Sequence, residues 1–440
     1  MTEWDMEPTD LPSGIQCRDA IRKGLGRALL WAEKGVWKDK DILLEACLTD
    51  LRYDRQCEEE RGPWLWRMMR EARVAEAFRL PLLNAVEKVH DSLAAVQLCQ
   101  FCVRYAQQGD DQFRRQLRRI VAEKPVPDCP WLGEQELIEL EGETGFLFAA
   151  KIRGTVLLLR EWEWDMDDEA MIDTAIDQLG EPKILDALQS ASASSKEIDR
   201  FRQNWLVAAQ KKKDDNPRQT HASRMRKYTL DDVIRAAEGT QNQAGLLRGW
   251  GMYAAEADLA IILERLLACQ DAKAIANYLG VFSNRPLPRF DERILNLLDS
   301  ENERVRMRAL CAIAQNTHPS IRKYAVEHLL DSKSVIYCPK LFINNFIPSD
   351  EDLILETLSI PDDADNRHYL LMDLIEMLEH NPAARCETLA LLAYRLTPCS
   401  SCRYRAAKLS IGLSVAPAWL IAECGYDAFS ATREFVEGLV

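Results

Sequence analysis

The chain has 440 residues, 47% of them hydrophobic, and carries 70 acidic against 56 basic side chains, so its formal net charge is −14. This acidic balance argues against a protein whose main function is to coat nucleic acid, because that function depends on Lys and Arg to displace counterions. No apolar run approaches the roughly 20 residues of a membrane-spanning helix, and the acidic N-terminus differs from a signal peptide. We therefore expect a cytoplasmic protein that has no membrane partner.

The N-terminal part of the chain is predicted to be helical. Residues 1–12 show no periodic pattern and are predicted to be a flexible N-terminus. Over residues 13–130, and again over residues 169–210, apolar residues recur at the spacing of one helical face, which is typical of amphipathic helices. We therefore expect an N-terminal helical region and, after an interruption at residues 131–168, a helical connection.

A change of period predicts that residues 131–168 form a small inserted β-hairpin or sheet. Phe146–Ile152 and Thr155–Trp164 have the apolar composition of strands, and Gly154 between them suits a turn. Glu136–Leu140 is predicted to be a third strand. This insertion would interrupt an otherwise helical protein.

The end of the predicted hairpin alternates acidic residues with Trp162 and Trp164. On a strand, this alternation would place the acids on one face and the tryptophans on the other. We consider this segment a candidate site for a basic partner or a cation. The alternative is a solvated acidic face above a packed tryptophan face.

A basic segment at residues 211–227 is predicted to be a linker. Between residues 200 and 227 there are nine Lys or Arg residues and two acids, and Pro217 with its polar neighbours would break a helix. Lys211, Lys212 and Lys213 are candidate contacts with an acidic partner or with nucleic acid. The alternative is a solvated linker that binds nothing.

Residues 228–440 are predicted to form a helical repeat domain, because one helical unit occurs twice within them. The two copies match at a fixed offset that aligns three pairs of residues: Pro319 with Pro382, Arg322 with Arg385, and Leu329 with Leu392. Each predicted helix is short and amphipathic, and it can bury its apolar face only against neighbouring helices. Stacked pairs of such helices form a solenoid, which leaves a long surface free.

One stretch of this region resembles the HEAT repeat of armadillo-like solenoids. Leu297–Arg306 has an Asp at its third position and a Val-Arg pair at its end, and Ala309 and Ile313 follow at the expected spacing. Pro319–Arg322, followed by Ala325, resembles the same pattern. The resemblance implies a mainly α fold, an α-solenoid of HEAT-like helix pairs, and a scaffold, adaptor or regulatory subunit that binds another protein.

Four arginines of the repeat region are the candidate partner-binding residues: Arg306, Arg308, Arg322 and Arg385. An alternative function places them in a local groove that binds nucleic acid together with the basic segment. For Arg322 and Arg385 the resemblance implies a structural role instead. Each would bind turn carbonyls or a neighbouring acid, such as Asp299 or Asp331, and keep successive repeats in register.

The sequence contains thirteen cysteines, which predict buried thiols in a reducing compartment. Cys99 and Cys102 lie in an apolar stretch that predicts a core helix. A zinc or redox protein is a further alternative function, and it would use four cysteines: Cys386, Cys399, Cys402 and Cys424. Cys399 and Cys402 lie at a predicted helix start, where the helix dipole favours a thiolate. The spacings of the four lack the paired arrangement of zinc sites, so we predict no metal and no cofactor.

No catalytic motif occurs in the sequence. It contains no GxxxxGK[ST] phosphate loop, no HExxH metal helix and no GxSxG elbow between a strand and a helix, and its six histidines are dispersed. No acid–base pair can be selected by spacing alone. We therefore predict no catalytic residues and a non-catalytic interaction protein, with nucleic-acid binding and cysteine chemistry as the alternatives.

Overall fold

The computed structural model describes residues 7–9, 11–89, 92–159, 166–214, 220–241, 243–329 and 338–439. These residues contain 27 α-helices, two short 3₁₀ helices and no β-strand. The longest of these helices has 19 residues, and none of them is long and apolar enough to cross a membrane. The fold is therefore mainly α, as the sequence predicts.

The chain divides into two compact units. The first unit comprises Pro8–Asn216 and Glu423–Gly438, and the second unit comprises Pro217–Ala422. The division after residue 216 lies within the segment predicted as a linker, residues 211–227. The C-terminal end of the predicted repeat domain, residues 228–440, thus contributes to the first unit.

The N-terminal part of the first unit contains helices α1 to α12. Their bounds are α1 Gly14–Lys23, α2 Gly26–Glu33, α3 Lys40–Leu48, α4 Gly62–Glu71, α5 Ala75–Glu87, α6 Ser92–Gln107, α7 Asp111–Glu123, α8 Glu134–Glu141, α9 Glu143–Leu159, α10 Met166–Leu179, α11 Glu181–Ser192 and α12 Lys196–Asp214. Alternate helices stack in two rows, one from α1 through α3, α5, α7 and α9 to α11 and the other from α2 through α4, α6 and α8 to α10. Short amphipathic helices bury their apolar faces in this way, and the resulting core includes residues of all twelve.

The second unit is built from α13 to α25 and most of α26. Their bounds are α13 His221–Met225, α14 Leu230–Glu238, α15 Ala244–Tyr253, α16 Glu256–Ala268, α17 Ala272–Val281, α18 Glu292–Leu295, α19 Glu303–Ile313, α20 Pro319–Leu329, α21 Cys338–Leu341, α22 Asp350–Thr357, α23 Ala364–His380, α24 Glu387–Leu396, α25 Ser400–Gly412 and α26 Ala418–Cys424. The odd-numbered helices from α13 to α25 contact one another in succession. Helices α16, α18, α20 and α24 each pack on the odd-numbered helix that follows them. The second unit is therefore a stack of helix pairs.

Amide side chains close the C-terminal ends of several helices in this stack. Asn316, after α19, donates from Nδ2 to the carbonyl four residues before it at 2.9 Å. Asn345 donates to the carbonyl four residues before it at 3.1 Å and also to Asn316 O at 2.9 Å. Asn381 repeats the arrangement, at 2.8 Å within its own helix and 2.9 Å to Ile343 O. These amides bind successive turns of the stack to one another.

The predicted β-hairpin is wrong for the described residues. Residues 134–141 and 143–159 form α8 and α9, and residues 160–165 of the second predicted strand lie outside the described residues. Gly154, which the sequence suggests as a turn residue, lies within α9, where a Cβ would come within 1.9 Å of Glu197 O in α12. The glycine thus permits two helices to approach closely. Helix α9 buries Arg153 and exposes Leu158 and Leu159, so its sequence lacks the regular alternation of polar and apolar faces that predicts a helix.

Residues 423–438 complete the first unit. They include α27, Ser430–Glu437, and the segment that precedes it packs on the N-terminal helices. Ala428 N donates to Gly24 O at 2.9 Å, and Trp64 Nε1 donates to Tyr426 O at 2.9 Å. Residues far apart in sequence therefore share one core.

The first turn of α8 carries two buried acids. Glu134 Oε2 accepts from Arg153 Nη2 at 2.7 Å, and both side chains are almost fully buried. Glu136 is also buried. Burial, together with smaller contributions from the nearby Glu60 and Glu139 carboxylates, raises the pKa of the Glu136 carboxyl to about 7.

Two substitutions in α15 test the close packing of the helices. A Cβ at Gly251 would lie 1.9 Å from Val281 O, whereas a Cβ at Gly245 would meet no atom within 4 Å. We expect Gly251→Ala to lower the free energy of unfolding by more than about 2 kcal/mol, because two backbones must separate. Gly245→Ala should leave it unchanged or raise it by up to about 1 kcal/mol. Urea unfolding followed by circular dichroism measures both, and equal effects would contradict the described packing.

Glu136→Gln should change how stability depends on pH. Because the pKa of this carboxyl is about 7 in the folded state against a usual value of 4.5, the stability linked to its neutral form is fully present below pH 4.5. That stability is lost as the pH rises to about 7. At about 1.4 kcal/mol per pKa unit, the variant should exceed the wild type by up to about 3 kcal/mol at pH 8 and by little at pH 4.5.

Thermal unfolding of both proteins across this pH range measures the difference. Glu181→Gln is the control, because it removes an exposed carboxylate from a different helix, α11. It should retain the wild-type dependence on pH. If Glu136→Gln and the wild type showed parallel stability curves, the carboxyl of Glu136 would be ionised in the folded protein at neutral pH.

Candidate functional site

The arginines of the predicted repeat mainly contact their own chain. Arg306 donates from Nη1 to Ser300 O at 2.6 Å and to Glu301 O at 3.0 Å. It thereby closes the turn that precedes α19. Arg308, on the same helix, is half-buried and forms no ion pair with any residue that the structure describes.

Arg322 joins α20 to the start of α22. Its guanidinium forms an ion pair with Asp350, the first residue of α22, whose side chain is 2% exposed. The second carboxylate oxygen of Asp350 accepts from Ile347 N at 2.9 Å. The acid opposite Arg322 is therefore Asp350 and not Asp299, which accepts from Tyr324 Oη at 2.8 Å.

Arg385 differs from Arg322 in its local structure. It follows the 3₁₀ helix Pro382–Ala384 in a left-handed conformation, with a φ of +52°. Its Nη2 donates to Leu413 O at 3.3 Å. Both aligned arginines thus bind a group of their own chain. Arg322 lies within a helix, whereas Arg385 lies in a turn.

Other residues predicted to contact a partner lie outside the described part of the structure. They are Trp162 and Trp164, together with the side chains of Lys211, Lys212 and Lys213, whose backbone belongs to α12. Asp331 lies outside it as well. Partner binding by the tryptophans and lysines therefore stays a prediction.

The packed pair α13 and α15, together with the turn that follows α13, exposes a set of basic and aromatic side chains. We refer to it as the basic-aromatic surface, and its members are His221, Arg224, Arg226, Tyr228, Arg248 and Tyr253. All six are exposed, and the exposed fractions of Tyr228 and Tyr253 are 41% and 37%. Among the described residues, Arg224, Arg226 and Arg248 have no ion-pair partner. Their charges are therefore available to a ligand.

Contacts of α15 hold this surface together. A Cβ at Gly249 would lie 3.0 Å from the ring of His221, so α13 rests directly on the backbone of α15. Trp250 Nε1 donates to Tyr228 O at 3.1 Å. The rings of His221 and Tyr253 are 5.8 Å apart between centroids. The short helix α13 buries no residue of its own, so these contacts position it.

The sequence prediction included Arg224 and Arg226 in the basic linker and missed the aromatic part of this surface. The available signal is Gly249-Trp250-Gly251, in which two glycines flank a tryptophan within a helical pattern. Gly249 faces α13, and Gly251 faces Val281 at the end of α17. Glycines at such positions indicate a helix packed closely on two sides.

The four cysteines predicted as an alternative zinc or redox group have different surroundings. Cys386 is buried and hydrogen-bonds with Glu351, and burial raises the pKa of its thiol to about 12. Cys424 is buried in α26. Cys399 and Cys402 lie at the start of α25. The zinc or redox function of the four stays an untested alternative to the predicted interaction protein.

Cys399 and Cys402 have His368 of α23 as their neighbour. Cys402 Sγ lies 3.9 Å from His368 Nδ1. The possible ligand atoms of the three residues all lie within 4.8 Å of one another. Sequence reasoning identified the cysteine pair but not the histidine, which lies 34 residues before Cys402.

No family model matches the chain, and neither a curated protein nor a solved structure matches it. The similarity to HEAT repeats therefore depends on the repeated residues alone.

Arg322→Ala should destabilise the second unit. The substitution leaves the buried carboxylate of Asp350 without its cation, and removing one partner of a buried ion pair is strongly destabilising. Because the Arg322 side chain is 33% exposed, we expect a moderate loss, about 2 kcal/mol in the free energy of unfolding. Urea unfolding measures it. Arg308→Ala, on the neighbouring helix, is the control and should lower the free energy of unfolding by less than about 0.5 kcal/mol. If the two variants gave equal urea-unfolding curves, the ion pair would provide no net stabilisation.

Proposed function

We propose that the protein is a non-catalytic interaction protein, a scaffold, adaptor or regulatory subunit, that binds another protein through the basic-aromatic surface. The stacked helix pairs of the second unit support this function, because HEAT-like pairs in an α-solenoid leave a long surface available. The observation that carries the proposal is the exposure of three arginines and two tyrosines on one packed pair of helices. A cytoplasmic location is part of the proposal.

The partner segment is acidic and contains apolar or aromatic side chains. Arg224, Arg226 and Arg248 present planar guanidinium groups, which carboxylates bind through paired hydrogen bonds. Tyr228 and Tyr253 provide aromatic contact area, and Tyr and Arg are enriched in protein interfaces. In a chain of net charge −14, a basic surface also allows an acidic segment to approach without repulsion.

Binding of single-stranded nucleic acid is the second candidate function. Exposed aromatic rings beside arginines suit the stacking of bases and the neutralisation of phosphates, and the basic-aromatic surface offers both. The arginines predicted for a nucleic-acid groove favour it less. Arg306, Arg322 and Arg385 each bind a carbonyl or a carboxylate of the chain.

Peptides selected from a random displayed library against the full chain test the proposed partner. We expect the selected peptides to be rich in Asp, Glu and aromatic residues. The double variant Arg226→Ala/Arg248→Ala should raise their Kd at least about tenfold, because each hydrogen bond to a charged group contributes about 1.5–3 kcal/mol. Arg235→Ala is the matched control, since Arg235 is an exposed arginine of the neighbouring helix α14 that pairs with Asp232 at 3.2 Å. It should change the Kd less than about twofold.

A labelled single-stranded oligonucleotide distinguishes the two candidate functions. If nucleic acid is the ligand, its affinity should exceed that of the peptides, fall steeply with salt and fall further in Tyr253→Ala. Peptide binding that persists unchanged in the Arg226→Ala/Arg248→Ala variant would contradict the proposed surface. Circular dichroism of each variant confirms that the fold is retained.

A further inference from the structure

We propose that His368, Cys399 and Cys402 bind one Zn²⁺ ion. Cys399 is the N-cap of α25, Cys402 lies in the first turn of that helix, and His368 lies in α23, which packs against α25. One ligand atom of each residue lies within 4.8 Å of the other two. Two helices thus bring three metal-binding side chains to one point.

The separations suit a tetrahedral zinc site. With Zn–S bonds of about 2.3 Å and Zn–N bonds of about 2.0–2.1 Å, tetrahedral angles place two sulfurs about 3.8 Å apart and a sulfur about 3.6 Å from a nitrogen. The distance between Cys402 Sγ and His368 Nδ1 is 3.9 Å. This separation is close to that of a tetrahedral site, and the other two, at most 4.8 Å, would shorten by up to about 1 Å on binding zinc.

The donor set selects the metal. Two thiolates and one imidazole suit zinc, whereas magnesium and calcium take oxygen ligands. Thiolates are the form that binds zinc, and the N-terminal end of a helix stabilises them through its dipole and its unsatisfied N–H groups. Cys399 and Cys402 occupy such an end, in a helix of 13 residues.

The second Cys-x-x-Cys pair of the chain provides a comparison. Cys99 and Cys102 lie in the middle of α6 and are fully buried. Burial raises the pKa of both thiols far above the usual range, which keeps them neutral. Within the described residues they belong to no group of three possible metal ligands. The two pairs thus have the same spacing but different surroundings. The pair in α6 is part of the apolar core, whereas the pair at the start of α25 has a histidine as a third possible metal ligand.

Three protein ligands leave one coordination position of a tetrahedral zinc for a water molecule. Cys399 and Cys402 are 2% and 6% exposed, whereas His368 is half-buried, so the fourth position opens on the histidine side. Bound zinc would link α23 to the first turn of α25. It would stabilise this part of the second unit by binding the folded state, independently of the basic-aromatic surface.

Zinc-loaded full-length protein tests the site by X-ray absorption spectroscopy and by competition with a chromophoric chelator. We expect one zinc per chain, with two sulfur ligands at about 2.3 Å and two nitrogen or oxygen ligands at about 2.0–2.1 Å. Cys402→Ser and His368→Asn should each weaken zinc binding at least about tenfold. Zinc should raise the Tm of the wild type, EDTA should reverse that rise, and neither variant should show it.

Two matched controls separate the site from other thiols and imidazoles. Cys269→Ser removes a partly exposed cysteine beyond the end of α16, and His380→Asn removes an exposed histidine of α23. Both should bind zinc as the wild type does. The proposal is overturned if the wild type binds no zinc, if its zinc lacks two sulfur ligands, if Cys402→Ser or His368→Asn binds zinc normally, or if thiol titration finds Cys399 and Cys402 joined in a disulfide. His368→Asn changes a half-buried side chain, so its fold, checked by circular dichroism, should be retained.

Discussion

Each end of a helix presents backbone groups that the helix itself cannot satisfy. In a chain of many short helices these groups are numerous. Asn345 and Asn381 satisfy some of these groups. Each donates one hydrogen bond to a carbonyl in the last turn of the helix before it, and another to a carbonyl just after the preceding odd-numbered helix. In the first unit, Gln97 of α6 donates from Nε2 to two carbonyls at the end of a different helix, α3, at 3.0 and 2.9 Å. An amide can do this because it carries two N–H donors in one plane. Apolar contacts alone would tolerate sliding of the helices, whereas a buried carbonyl that loses its donor costs about 1–3 kcal/mol.

The mainly α fold could be predicted from the sequence because most helices bury one face and leave the other in water. Helix α9 could not, because Gly154 lies against Glu197, 43 residues later, and its role depends on a neighbour that periodicity does not reveal. A glycine between two apolar runs then resembles a hairpin turn. The structural role of Arg322 was predictable as a type of contact, but its partner Asp350 is 28 residues away and begins a different helix. Local sequence patterns therefore predict the helices, whereas the contacts between helices can be found only in the folded structure.

The same limit applies to the candidate sites. The pair Cys399 and Cys402 is visible as a motif at a helix start, but His368 becomes its neighbour only because α23 packs against α25. The positive charge of the basic-aromatic surface is visible in the sequence as a run of Arg and Lys. Its tyrosines are not, because their exposure depends on the packing of α13 against α15. A run of charged residues can be recognised in the sequence. The meeting of side chains from separate helices can be recognised only in the folded structure.

The return of residues 423–438 to the first unit affects the order in which the protein folds. Ser430 N donates to Glu59 Oε2 at 2.9 Å across 371 residues of sequence, and Ala428 N donates to Gly24 O. During synthesis the N-terminal helices of a protein usually fold first. Here the segment that covers Gly24 and Trp64 leaves the ribosome only after the whole second unit has been made. Part of the apolar surface of the first unit therefore stays uncovered until residues 423–438 have been synthesised, which a stack of purely local contacts would avoid.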